Sequence, residues 1–152
     1  MLNLPEIEMS VRKDTKGVLQ VWDPIRSKYV ALTPEENVRQ HFTSFLINSY
    51  GYPRSLMQNE VAIEMNGLRR RCDTVVYSKQ LEPLLIIEYK APSVQITKQV
   101  FNQIARYNFA LRVQYLIVSN GLEHYCAKMD KDSSQWQFID HLPDYITLSQ
   151  QL

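Results

Sequence analysis

The sequence predicts an α/β fold: a mixed sheet, made of an antiparallel meander plus one parallel crossover strand, flanked by helices. Three observations carry this. First, Asn66-Gly67 separates two runs rich in strand formers, Leu56 to Met65 and Arg69 to Tyr77. Asn-Gly between such runs is a strong hairpin signal, because both residues accept the positive φ of a tight turn. Second, the polar break Ser78 to Pro83 has hairpin length and leads into the apolar run Leu84-Leu-Ile-Ile-Glu-Tyr-Lys90. Third, a helical pattern from Thr97 to Leu111 precedes Tyr115-Leu-Ile-Val-Ser119. A strand, a helix and a parallel strand form a right-handed crossover, and an apolar strand of this kind belongs inside a sheet.

The other elements follow in order. Residues 1–16 show little pattern. Val18 to Trp22 and Lys28 to Leu32 flank Asp23-Pro24-Ile25-Arg26-Ser27, which predicts a peripheral hairpin. Thr33-Pro34-Glu35-Glu36 is a helix start, with Thr33 as N-cap, Pro34 as first helical residue and Glu36 closing a capping box. Val38, Phe42, Phe45 and Leu46 recur at helical spacing, and the helix should end near Tyr50-Gly51-Tyr52-Pro53. Ala91-Pro92-Ser93 stops the strand before the second helix, on which Val100, Ile104, Tyr107 and Leu111 form the expected apolar stripe. Leu122 to Lys128 and Gln135 to Ile139 are expected as outer strands, with Asn120-Gly121 and Asp130-Lys-Asp-Ser133 as turns. One domain is expected over 1–152: an N-terminal extension at 1–32, a core at 33–125 and C-terminal edge strands at 126–152.

Composition sets limits on function. A chain of 152 residues buries about 70% of its unfolded surface and needs no staples. A hydrophobic fraction of 45%, a charged fraction of 22% and a net charge of +1 exclude a highly basic scaffold, though not a local nucleic-acid patch. The two cysteines, Cys72 and Cys126, make neither a disulfide framework nor a metal knuckle. No signal peptide or bilayer-spanning run stands out, so the expectation is a soluble, cytoplasmic protein with reduced thiols and no membrane partner.

The chemistry lies in the second hairpin. If the break is symmetric about Gln80 and Leu81, Asp73 faces Glu88 and Arg71 faces Lys90. Directly opposed side chains have Cβ atoms roughly 4.5–5.5 Å apart, and like charges there repel. Facing carboxylates can hold a divalent cation, and Lys90 shares the Glu88 face because two residues along a strand restore the same side. The same spacing also allows a plain checkerboard of ion pairs among Arg71, Asp73, Glu88 and Lys90.

Asp73, fourteen intervening residues and Glu88-Tyr89-Lys90 resemble the PD-(D/E)XK nuclease motif. Gln103-Ile-Ala-Arg-Tyr107 on the following helix resembles the QxxxY motif, and residues 33–40 resemble an acidic first helix. Together they are similar to the N-terminal nuclease domain of type I restriction enzyme R subunits, over about residues 30–125. Cys72 replaces the proline of the motif. The resemblance implies a restriction-endonuclease-like core and Mg²⁺- or Mn²⁺-dependent cleavage of DNA. It makes Asp73 and Glu88 metal ligands, with the Tyr89 backbone carbonyl as a third, and Lys90 the catalytic lysine. Gln103 and Tyr107 become substrate-positioning residues, with Gln103 pointing towards Glu88 or Lys90. Glu35, placed by helical angle nearer the sheet than Glu36, is the auxiliary acid. Strand alternation puts Arg69 and Arg71 on the Asp73 face as phosphate contacts, with Arg70 opposite. No helicase follows in this sequence, so ATP-driven cleavage would need restriction-modification subunits or a helicase in trans. Two other readings stay open: a catalytically weak or inactive DNA-binding or assembly module of the same fold, and an α/β protein whose acids and lysine are ion pairs only. The sequence sets neither the oligomeric state nor the DNA preference.

Overall fold

The structure, a computed structural model, describes residues 1–65, 67–109 and 111–150, the Met65 side chain excepted. The element order is β1 (Val11–Lys13), β2 (Leu19–Asp23), β3 (Lys28–Ala31), α1 (Pro34–Tyr50), a 3-10 turn (Arg54–Leu56), β4 (Met57–Met65), β5 (Leu68–Tyr77), β6 (Pro83–Tyr89), α2 (Lys98–Phe109), β7 (Tyr115–Ser119), β8 (His124–Asp130), β9 (Gln135–Ile139) and α3 (Tyr145–Ser149). Six strands form one sheet in the order β4-β5-β6-β7-β8-β9, and β6–β7 is its parallel pair. The expected architecture is therefore present, with β7 inside the sheet. Strands β1 to β3 make a separate three-stranded sheet. Its first strand, in the stretch that showed no pattern, is short and exposed, so it carries no apolar alternation to read.

Helix α1 forms for the reasons its sequence offers. The Thr33 hydroxyl accepts from the Glu36 amide at 3.0 Å, Pro34 opens the first turn, and Gly51 closes the last in the left-handed region at φ 70°. The reciprocal half of the capping box is absent, because the Glu36 carboxylate is drawn instead to Arg26, Arg39 and Gln40. Val38, Phe42 and Leu46 bury one stripe of α1 against Val76, Leu85, Ile87 and Tyr89 on one face of the sheet. Full burial of such side chains contributes about 1.5–3 kcal/mol each.

Helix α2 covers the other face. Phe101 and Ala105 pack with Cys72, Val75, Ile86, Leu116 and Val118. The expected stripe is rotated: Phe101, Ala105 and Asn108 are buried, Val100 and Ile104 are half-buried, and Tyr107 is 61% exposed. Apolarity alone favoured Val100 and Tyr107, but Phe101 brings more aromatic surface to the sheet. The β4–β5 hairpin forms as expected; Gly67 takes φ 75°, while Asn66 lies outside the described residues. Two helical turns escaped the sequence reading, the 3-10 turn and α3. Asp144 caps α3, its side chain accepting from the Thr147 amide at 2.8 Å. No described helix is long and apolar enough to cross a membrane.

Candidate active site

Strands β5 and β6 pair in the register Thr74↔Ile87, Val75↔Ile86 and Val76↔Leu85, the register expected from the symmetric break. A shift between Val76 and Tyr77, with Leu81 at φ 64°, adjusts the loop without moving the far end. The backbone ladder stops at Thr74↔Ile87. Asp73 and Glu88, one step beyond, meet through their side chains. Asp73 Oδ2 accepts from the Tyr89 amide at 2.8 Å. Burial pushes the Glu88 carboxyl up to about 8, and the charge and hydrogen bond of Asp73 push the same way; Arg70 and Lys90 pull it partly back. A carboxyl buried in a half-dry corner beside a second one holds its proton more tightly.

Lys90 continues β6 by one residue, its amide donating to the Ser119 carbonyl at 2.9 Å. Its ammonium lies close enough to Glu88 to favour that carboxylate's charge. The expected Arg71–Lys90 pairing is not part of the ladder. Arg71 turns to β4, where its Nε donates to Glu60 at 3.0 Å. Arg69 is exposed and sits opposite Glu64.

The arginine beside the acids is Arg70, the one assigned to the opposite face. Its Nη2 donates to Glu88 Oε1 at 2.9 Å. The reason is a local failure of alternation. Cys72 and Val75, three apart, both pack on the α2 face, so the strand slips one step between them, at Asp73. Across from Asp73, Glu60 has φ 54°, and the β4–β5 pairing skips from Asn59↔Thr74 to Val61↔Cys72. Backbone held in this sparsely populated region costs on the order of 1–3 kcal/mol and persists only where neighbours enforce it. Here Arg39 and Arg71 grip the Glu60 carboxylate from both sides, at 2.6 and 3.0 Å.

Arg39 anchors a buried frame behind the site. It donates to the Asp73 carbonyl and to Glu60, and lies 3.2 Å from the Glu36 carboxylate. Glu36 also accepts from Arg26 at 2.6 Å and Gln40 at 2.9 Å. Arg26 and Asn59 both bond Asp23, Asn59 accepts from Thr74 at 2.7 Å, and Thr74 accepts from the Tyr89 hydroxyl at 3.0 Å. The β2–β3 turn, α1, β4, β5 and β6 are thereby joined around the Asp73 backbone. Helical angle placed Glu35 nearer the sheet, but it is Glu36 that is buried, in this frame and in a structural role, while Glu35 is exposed at the rim of a cavity of about 320 Å³ that Asp73, Glu36, Arg39 and Glu60 also line. A readable signal existed, because Glu36, Arg39, Gln40 and Thr43 recur at helical spacing as a polar stripe beside the apolar one.

Helix α2 supplies the remaining side chains. The Tyr107 ring lies 3.8 Å from the Arg70 guanidinium carbon, in stacking contact. Asn108, buried, accepts from Arg70 Nε at 3.2 Å and donates to the Ile104 carbonyl at 2.8 Å. Gln103 is exposed and makes no direct hydrogen bond to Glu88 or Lys90. The side-chain amide of α2 that does connect to Glu88 is that of Asn108, through Arg70. Nothing in the sequence marked a lone helical Asn for that place.

Among the described residues, no three His, Cys, Asp or Glu side chains gather into a metal cluster. The chain offers two carboxylates, Asp73 and Glu88, whose mutual repulsion a cation between them would relieve. That donor set suits Mg²⁺, which is held by one or two carboxylates and keeps waters and phosphate oxygens as its other ligands.

Residues 34–143 of this sequence match the family of the type I restriction enzyme R protein N terminus, HSDR_N. The chain belongs to that family. The HSDR_N match begins at the first residue of α1 and ends beyond β9. The fold agrees with the fragment structure of a chain assigned as an HsdR subunit of a type I restriction enzyme from Vibrio vulnificus YJ016. That structure superposes with a TM-score of 0.54 at 16% identity, covering 78% of this chain and 25% of the other. This chain thus spans about a quarter of that chain's length. No curated protein matches the sequence.

Proposed function

We propose that this HSDR_N domain is a metal-dependent deoxyribonuclease that hydrolyses DNA phosphodiesters with Mg²⁺ or Mn²⁺. The observation that carries the reading is the Asp73–Glu88 pair: two carboxyls pressed together beyond the end of a ladder, with Glu88 held above the usual carboxylate range. A protein without a use for a cation would gain from separating them. Asp73, Glu88 and the Tyr89 carbonyl would hold the ion, and Glu35, at the rim of the neighbouring cavity, is placed to assist through water. When bound, such an ion lowers the pKa of an attacking water and offsets charge on the phosphoryl oxygens. Asp73 is fixed by the Tyr89 amide and by Arg39 on its carbonyl, so its carboxylate is pre-oriented. Lys90, beside Glu88, orients the water and balances negative charge as it develops. In an R subunit, DNA is the partner, and translocation would come from other segments or subunits of the restriction assembly.

Cleavage of plasmid DNA in Mg²⁺ or Mn²⁺ tests the reading. Lys90→Ala should keep cation and DNA binding and lose a factor of about 10²–10³ in rate, the usual effect of removing a transition-state charge partner. Near wild-type cleavage by that variant overturns the role of Lys90. The Arg70–Glu88 ion pair favours a second reading, a DNA-binding module in which the acids are tied up. Sound DNA binding without cleavage by the wild type would establish it.

A further inference from the structure

We propose that Arg70 is a substrate-positioning residue: parked on Glu88 by Tyr107 and Asn108, its guanidinium passes to a DNA backbone phosphate once a divalent cation takes Glu88. This inference rests on the nuclease reading above and adds to it a residue outside the motifs.

The geometry separates what holds Arg70 from what blocks it. Among the described residues its side chain makes three polar or stacking contacts, two of them from α2: the face on the Tyr107 ring at 3.8 Å and Nε on Asn108 Oδ1 at 3.2 Å. Asn108 is itself fixed, its amide nitrogen on the Ile104 carbonyl at 2.8 Å. Neither contact involves Glu88. The third, Nη2 to Glu88 Oε1 at 2.9 Å, competes directly with a cation for the same oxygen. A cation that wins Glu88 therefore leaves a guanidinium still held in place, with an edge free. A planar, pre-oriented guanidinium edge is the side-chain group best shaped for a phosphate.

Charge counting points the same way. Asp73, Glu88, Arg70 and Lys90 sum to zero with both acids ionised. Adding a divalent cation gives the cluster a charge of about +2, which calls for an anion, and a phosphodiester beside the cation supplies one. The contact also accounts for Tyr107. At 61% exposure it is not a core residue, yet its ring is committed to the arginine that, among the described residues, touches Glu88.

The test measures binding of a fluorescent DNA duplex across a salt series, with and without Ca²⁺, together with calorimetric Mn²⁺ binding. It compares wild type, Arg70→Gln, Arg70→Lys and Tyr107→Ala. In the wild type Ca²⁺ should steepen the slope of log K against log[salt], one new phosphate contact adding about 0.9. Arg70→Gln should lose that increment while binding Mn²⁺ at least as tightly as wild type, because a competitor for Glu88 is gone. In cleavage it should raise KM more than it lowers kcat. Arg70→Lys, which keeps the charge but not the stacked planar fork, should restore the increment only in part, and Tyr107→Ala, which removes the stacking ring, should reduce it. A full increment in Arg70→Gln overturns the proposal and leaves the nuclease reading standing. Weaker Mn²⁺ binding in Arg70→Gln also overturns it, making Arg70 a prop for Glu88. Failure of the wild type itself to bind Mn²⁺ overturns both readings at once.

Discussion

Glu60 and Glu88 lie on strands either side of β5, and each is gripped by an arginine from it, Arg71 and Arg70 respectively. Their surroundings nevertheless push them in opposite directions. Burial raises the Glu60 carboxyl, but the hydrogen bonds and charges of Arg39 and Arg71 outweigh it and hold Glu60 below the usual range. Burial raises Glu88 as well, and there Asp73 adds to the push and Arg70 and Lys90 do not cancel it. On the α1 side of Asp73, arginines outweigh the desolvation of an acid; on the α2 side a second acid prevents that. Compensated acids of the first kind build a frame. An acid whose carboxyl is raised by burial, and further by a neighbouring acid, is an invitation to a cation, and that difference separates the two within one set of strands.

The comparison can be broken most severely on the scaffold side. Arg39→Ala would leave the buried Glu36 and the half-buried Glu60 without their shared partner, and removing one member of a buried ionic network costs about 3–5 kcal/mol. Urea unfolding should show that loss with or without Mn²⁺; a change under about 1 kcal/mol would mean the frame is not structural.

On the site side the sign reverses. Asp73→Asn keeps an acceptor for the Tyr89 amide and removes the repulsion, so metal-free stability should rise by on the order of 1 kcal/mol. Mn²⁺ at a hundred times its dissociation constant should stabilise the wild type by about 2.7 kcal/mol and the variant hardly at all. Identical thermal shifts in the two proteins would place the cation elsewhere.

The two acids should also separate by pH. Glu60, with its folded pKa lowered, contributes stability that is present above its ordinary value of 4.5 and lost as pH falls through the folded value. Glu88 works the other way. Between its ordinary 4.5 and about 8 the folded state keeps a proton that the unfolded chain has released. Metal-free stability should therefore decline as pH rises through that window, and Asp73→Asn or added Mn²⁺ should flatten the decline. A metal-free profile that rises across the window in the wild type would contradict the placement of Glu88.

The smallest expected effect is at Gln103. Exposed and without a direct bond to the acids, it should change stability by less than about 0.5 kcal/mol on replacement by Ala, whereas Asn108→Ala should loosen Arg70 and weaken Ca²⁺-dependent DNA binding. Equal effects of the two on DNA binding would return Gln103 to the site.

Sequence by itself determined the order of the two long helices and of the six strands of the main sheet, the hairpin register and the pair Asp73 and Glu88. Those depend on local matters: turn residues at Gly67, a proline-bounded break before β6, and a period of two that a one-residue slip would invert. It determined the Thr33 cap and the Gly51 stop for the same reason. Which face each neighbour of the acids takes was decided only by tertiary structure. The slip at Asp73 exists because Arg39 and Arg71 hold Glu60 at φ 54° across from it, and partners 11 to 21 residues away leave no periodic trace. That slip brought Arg70 to Glu88 in place of Arg69 and Arg71. Rotation of α2 was likewise settled by packing, Phe101 and Ala105 turning inward, which carried Asn108 to the site and left Gln103 in solvent. Glu36 was buried rather than Glu35 because Arg26, from a turn preceding the helix, had a charge to meet there.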